Sequence, residues 1–181
     1  MVMIGLLLTI GVVSFRSTQA SSRDKERETD VSVFANHLET VYSKAIKNSA
    51  GTTIKPAGVY PPLPGVSGQN KTNPDFQLML ESLDKKALSY PGGEGLILPT
   101  QNHGTHTACS TWQSCYNQSV PTATQLTPGR YMYRPLTGNN YVCSTTARDA
   151  SGQIGACRSF VIYYVLEGSP TVVRTLQSKR L

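Results

Sequence analysis

The first 46 residues constrain this chain more than any motif, because they change solvent within one unbroken helical pattern. Residues 1–15 carry no charge, whereas Arg23, Asp24, Lys25, Glu26, Arg27, Glu28 and Asp30 crowd the next stretch, with no proline or glycine pair to interrupt it. Beyond them apolar residues recur at Val31, Phe34, Leu38, Val41 and Ala45, three and four apart, the repeat of one face of an α-helix. A single stalk helix is the expectation. Its uncharged half, carrying Ile4, Gly5, Leu6, Leu7, Leu8, Ile10, Val12, Val13 and Phe15, suits lipid or the same half of neighbouring copies. Its second half is expected to lay the 31–45 stripe on a globular head. The pattern divides the chain into an apolar membrane or assembly half-helix over 1–22, an amphipathic half over 23–48 and a head over 49–181.

The head reads as α+β. The stalk is expected to run to about Asn48, where Gly51 can supply a left-handed cap. Residues 52–73 hold Pro56, Gly58, Pro61, Pro62, Pro64, Gly65 and Gly68, a long irregular connection. A second helix follows, with Asn73 placed to cap it, Pro74 at its first position, and Phe76, Met79, Leu80 and Leu83 as its apolar stripe. Tyr90-Pro91-Gly92-Gly93 ends it. Strands are expected over 96–98, 130–133, 140–144, 159–166 and 171–176, the fourth the richest in aromatic and β-branched residues, with Glu167-Gly168-Ser169-Pro170 as a hairpin turn into the last. Helices first and strands later imply an antiparallel sheet packed on the stalk.

Four cysteines, Cys109, Cys115, Cys143 and Cys157, read as two disulfides in an exported chain, with three pairings open. Pairing nearest neighbours, Cys109 with Cys115 and Cys143 with Cys157, needs no crossing of chain segments and is preferred. The formal charge of +6 and pI near 9.2 come from scattered basic residues, with loose groups at Arg130 and Arg134 and at Arg174, Lys179 and Arg180. No aromatic stripe or nucleic-acid motif accompanies them, so a solvated surface is expected. Arg16, Arg23, Lys25 and Arg27 follow the apolar segment and would, by the positive-inside rule alone, be cytoplasmic. The cysteines argue for the opposite side.

His103 and His106 precede Cys109 and Cys115, and imidazole with thiolate is ordinary zinc chemistry. The spacing matches no finger, and in an oxidising compartment the thiols are expected to pair with each other. No cofactor or metal is therefore expected. His37 reads as a surface or interface residue of the stalk. No Gly-x-Ser-x-Gly elbow, His-Glu-x-x-His helix or phosphate-cradling glycine loop occurs, and Asp75 with Glu81 reads as a solvated helix face, so no enzyme is expected.

Taken in order, several segments resemble the type IV pilin and type II secretion pseudopilin family. Residues 4–15 are similar to the later part of that family's apolar helix, and Gly58-Val59-Tyr60-Pro61 resembles its Gly-x-Tyr-Pro turn. Residues 83–93 resemble the following helix and loop, Tyr131, Tyr133 and 160–167 its sheet strands, and Cys143 with Cys157 its C-terminal disulfide. The resemblance implies a filament subunit held in the membrane by its helix before assembly, with other pilin subunits and lipid as partners and the head outside the cytoplasm. DNA or a host surface as a partner has no support in the residues.

One departure qualifies it. The family's basic leader, glycine and nearby glutamate have no counterpart, since no Lys or Arg precedes Arg16 and no Glu precedes Glu26. Residues 1–15 rise only about 22 Å as a helix, short of a hydrocarbon core of about 30 Å. Met1 is therefore expected to be an internal methionine of a longer reading frame, a divergent paralogue being the alternative. A second reading is a secreted binding or adhesion domain released from a signal peptide by cleavage after Thr18-Gln19-Ala20; the missing basic start and the late Arg16 count against it.

Overall fold

The computed structural model describes residues 2–63, 73–90, 93–98, 121–124, 126–138, 142–143 and 156–180. Helix α1 spans Val2–Tyr42 without interruption. Its stripe buries Val31, Phe34, Ala35, Leu38 and Val41. Val31, Phe34, Ala35 and Leu38 join Tyr60, Tyr131, Tyr133, Phe160 and Ile162 in one core, because the 3.6-residue period keeps them on a single face.

The helix stops well before Asn48, and Ala45, expected on the buried stripe, lies outside it and is exposed. The reason is competition for its last carbonyls. Strand β1, Ile46–Lys47, pairs antiparallel with β2, Thr53–Lys55. The Gly58 N–H donates to the Tyr42 carbonyl at 2.7 Å. The buried Lys55 ammonium donates to the carbonyls of Lys44 at 2.6 Å and Pro56 at 2.9 Å. Gly58 adopts φ +78°, the left-handed region where a side chain is costly. A cation below a helix C-terminus also opposes the negative end of its dipole. Burial pushes the Lys55 amine down to about 8. Gly51, the expected cap, instead turns the β1–β2 connection, where the Asn48 side chain accepts from the Ala50 and Thr52 N–H groups.

Helix α2, Pro74–Met79, starts as expected. The Asn73 side chain accepts from the Asp75 and Phe76 N–H groups at 3.0 and 3.2 Å, with Pro74 inside the first turn. Phe76, Met79, Leu80 and Leu83 are all buried, although the helix ends before the last two. A short α3, Lys85–Leu88, packs against α1. Strands β3, Ser89–Tyr90, and β4, Gly93–Glu94, then form a small antiparallel pair.

The main sheet orders β5 (Leu96–Ile97), β6 (Tyr131–Thr137), β7 (Cys157–Leu166) and β8 (Ser169–Gln177) side by side. It is mixed rather than antiparallel. β5 runs parallel to β6, while β6–β7 and β7–β8 are antiparallel, with Tyr133 opposite Ile162 and Ile162 opposite Leu176. β7 and β8 exceed their expected bounds, β6 starts one residue later than expected and runs on to Thr137, and of the strand expected over 140–144 the described part is Val142, bridged to Leu136, followed by Cys143. A ladder of rings joins helix to sheet: Phe34 meets Tyr131 and Tyr133 at centroid distances of 5.7 and 5.5 Å, and Tyr60 meets Phe160 at 4.9 Å and Tyr42 at 4.6 Å. The Tyr131 hydroxyl donates to the Ala87 carbonyl and the Tyr133 hydroxyl to that of Pro61.

Cys143 and Cys157 are bonded, with Cα atoms 5.8 Å apart. The pairing expected for Cys109 and Cys115, like the zinc reading of His103 and His106, lies outside the described residues. Both bonded cysteines also accept backbone hydrogen bonds from the Gly-x-Tyr-Pro segment, Tyr60 N to the Cys157 carbonyl at 2.9 Å and Leu63 N to that of Cys143 at 3.1 Å. The bridge thus ties three segments over the end of the stalk. Replacing both cysteines by alanine is expected to cost about 3 kcal/mol, the value for a closed loop of about 15 residues. Denaturant unfolding measures it, and a loss well under about 1 kcal/mol would mean that the backbone contacts hold the junction without the bond.

Candidate functional site at the stalk and head junction

The charged belt of α1 is a clamp, built from residues one helical turn apart. Asp24 and Arg27 share a face at i, i+3, and both turn toward the β7–β8 hairpin. The Asp24 carboxylate accepts from Arg27 Nη1 at 2.7 Å and from two turn amides, Glu167 N at 2.8 Å and Gly168 N at 2.9 Å. A Cβ at residue 168 would stand 3.3 Å from Asp24 Oδ2, so the close approach favours glycine. Glu167 in turn accepts from Arg23 Nη2 at 2.6 Å and Arg27 Nη2 at 2.5 Å. Arg27 is buried, which makes its two carboxylates a requirement of the fold rather than a surface ornament.

Contacts continue along β8 in the same order as along α1. Arg174 pairs with Glu28 at 3.0 Å. Glu39 accepts from the Tyr60 hydroxyl at 3.0 Å and from Lys179 N at 2.9 Å, with Arg180 Nε at 3.4 Å. The Arg180 guanidinium lies 4.8 Å above the Tyr42 ring. His37 sits at an interface as expected: its Nε2–H donates to the Met79 carbonyl at 3.0 Å and ties α1 to α2. Residues 15–19 are exposed, Phe15 to 64%, so this part of the stalk extends without cover from the head.

No family model, curated protein or solved structure matches the chain. Its chemistry must be read from the residues. Among the described residues no group of three His, Cys, Asp or Glu side chains converges as a metal site. A groove of about 890 Å³ opens between residues 47–49, α2 and Leu96; Phe76, Leu80, Leu83 and Leu88 make much of its lining. Its titratable rim is Lys47, Glu81 and Lys85. The arrangement that distinguishes this chain is mechanical: it fixes one helix to one hairpin at a set position. Among the described residues no helix is long and apolar enough to cross a membrane.

Pattern alone puts Glu167 in a turn and Asp24 and Arg27 in the charged stretch of the stalk helix, without joining them. The i, i+3 spacing and the glycine after Glu167 were the available signals, but nothing in one dimension brings residue 24 to residue 167. Arg134, read as part of a loose solvated basic group, is also buried.

The clamp is expected to be acid-sensitive. Hydrogen bonding from Arg23, aided by Arg27 against partial burial, lowers the Glu167 carboxyl to about 2, against an ordinary value of about 4.3. Because the folded value is the lower one, its stabilisation is complete above the unfolded value and is lost as pH falls toward 2. Glu167→Gln should cost about 1.5–3 kcal/mol at pH 7, the range for a hydrogen bond to a charged group. The gap to wild type should shrink between pH 5 and 2. Parallel unfolding curves at both pH values would contradict the assignment.

Proposed function

We propose that the chain is a structural, non-enzymatic subunit of a type IV pilus or type II secretion pseudopilus, anchored through its N-terminal helix before assembly. The observation that carries the reading is α1, one helix over Val2–Tyr42 whose second half is buried on the head while residues 15–19 stand clear of it. The α+β head, the turn at Gly58, and the Cys143–Cys157 bridge support the pilin-like assignment. In this reading the apolar half-helix is held by lipid and, on assembly, exchanges lipid for the same half-helices of neighbours. The head remains outside the cytoplasm. The clamp keeps the stalk at a constant angle to the head, so that repeated copies can pack in register.

Fractionation of cells expressing the native gene tests this, with recovery expected in membranes or sheared filaments. Recovery solely as a soluble protein beginning at Ser21 would sink the idea. That outcome would favour a secreted binding or adhesion domain, for which one observation speaks: Arg23, Asp24, Arg27 and Glu167, the whole clamp, lie after the Ala20 cleavage position.

A further inference from the structure

Arg134, in the head, is the second buried arginine among the described residues, and its surroundings differ from those of Arg27 on the stalk. It follows Tyr133 on β6, and since Tyr133 packs on Phe34 of α1, Arg134 points to the opposite face of the sheet. Val161 lies across from it on β7. The residue is 8% exposed. Its Nη1 stands 3.5 Å from the Tyr163 hydroxyl, at the limit of a hydrogen bond, and its Nε has no partner. Of the described carboxylates, Asp24 and Glu167 are held in the clamp, Glu26 by Lys86, Glu28 by Arg174, and Glu39 by Tyr60 and Arg180, and no ion pair among the described residues involves Arg134.

A guanidinium keeps its charge at any physiological pH, so this group cannot escape burial by losing a proton. A buried charge without a counter-charge is among the costliest arrangements in a fold. The orphan Nε and the neighbouring Nη form a two-pronged edge that matches a planar or tetrahedral oxyanion. Tyr163, itself buried, accepts from Nη1 at 3.5 Å, which leaves its own hydroxyl hydrogen free to donate.

We propose that Arg134 and Tyr163 form a receptor for one oxyanion, a carboxylate or phosphate group brought from outside the fold. The group comes either as a small anion from solution or as a carboxylate of a second copy of the chain. The inference is independent of the filament reading.

Thermal unfolding of the full chain tests it, in chloride of constant ionic strength with sodium acetate or inorganic phosphate added. For wild type, Tm should rise with the logarithm of anion concentration once it exceeds Kd, by about 5–10 °C at a hundredfold excess. Arg134→Met should not respond to either anion. In chloride alone it should be at least as stable as wild type, because an unpaired buried charge has been replaced by an apolar side chain. Arg134→Lys, which keeps the charge but loses the fork, should bind at least about tenfold more weakly, and it carries the test if the methionine variant does not fold. A Tm that rises with protein concentration in chloride, for wild type and not for Arg134→Met, would assign the carboxylate to a second copy. The proposal fails if wild type and Arg134→Met respond alike to both anions and to protein concentration. It also fails if Asp149→Asn or Glu94→Gln reproduces the behaviour of Arg134→Met, since the counter-charge would then belong to the chain itself.

Discussion

Phe34→Ala is expected to lower the stability of the head by about 3–5 kcal/mol, the range for deleting a buried ring. Phe34 is fully buried and contacts both Tyr131 and Tyr133 from the centre of the stalk stripe. The cavity would lie between helix and sheet, where two rigid elements cannot collapse onto it. Leu38→Ala, one turn further along, should cost about 2–5 kcal/mol. Such losses are a large share of a typical total of about 5–15 kcal/mol. Val33→Ala, on the exposed side at 41%, should stay within about 0.5 kcal/mol. Denaturant unfolding with the disulfide intact makes the comparison. Equal effects at positions 33 and 34 would mean that the stalk does not pack on the head, and the functional reading would go with it.

Asp24→Ala is expected to cost a comparable amount, about 3–5 kcal/mol, the range for breaking a buried ionic network by removing one member. Three donors lose their acceptor together, Arg27 Nη1, Glu167 N and Gly168 N. Asp24→Asn should recover only part of the loss, because Oδ1 and Oδ2 both accept in the native clamp and an amide offers a single oxygen. Hydrogen exchange provides the local readout: the Glu167 and Gly168 amides should lose protection in both variants, while those within the β6–β7 ladder keep theirs. Unchanged protection at the turn would show that the hairpin holds its shape without the stalk.

The stalk stripe at Val31, Phe34, Leu38 and Val41, the Asn73-Pro74 helix start and strand β7 were legible because each is a local pattern, fixed by a period or a cap within a few residues. What escaped the sequence depends on partners far along the chain. The end of α1 is decided by Lys55 and Gly58, which take carbonyls that a longer helix would have used, so Ala45 was placed on a stripe that had already ended. The role of Glu39 has no local signature because its partners, Tyr60, Lys179 and Arg180, lie 21 to 141 positions away. The parallel β5–β6 pairing and the burial of Arg134 follow from tertiary arrangement, for which hydrophobic pattern carries no signal.

The order of contacts between stalk and hairpin has a mechanical consequence. Asp24 meets Gly168, Glu28 meets Arg174, and Glu39 meets Lys179 and Arg180, so the attachments climb both elements together. Tension applied along the stalk while the head is held loads these attachments side by side, in shear, whereas tension applied across it would open them one after another from an end. A joint loaded in shear shares force among its links and gives way late and all at once. Single-molecule stretching between the N-terminus and a surface-fixed head should therefore give one rupture event, at a lower force in Asp24→Ala; a staircase of small releases would mean that the seam peels.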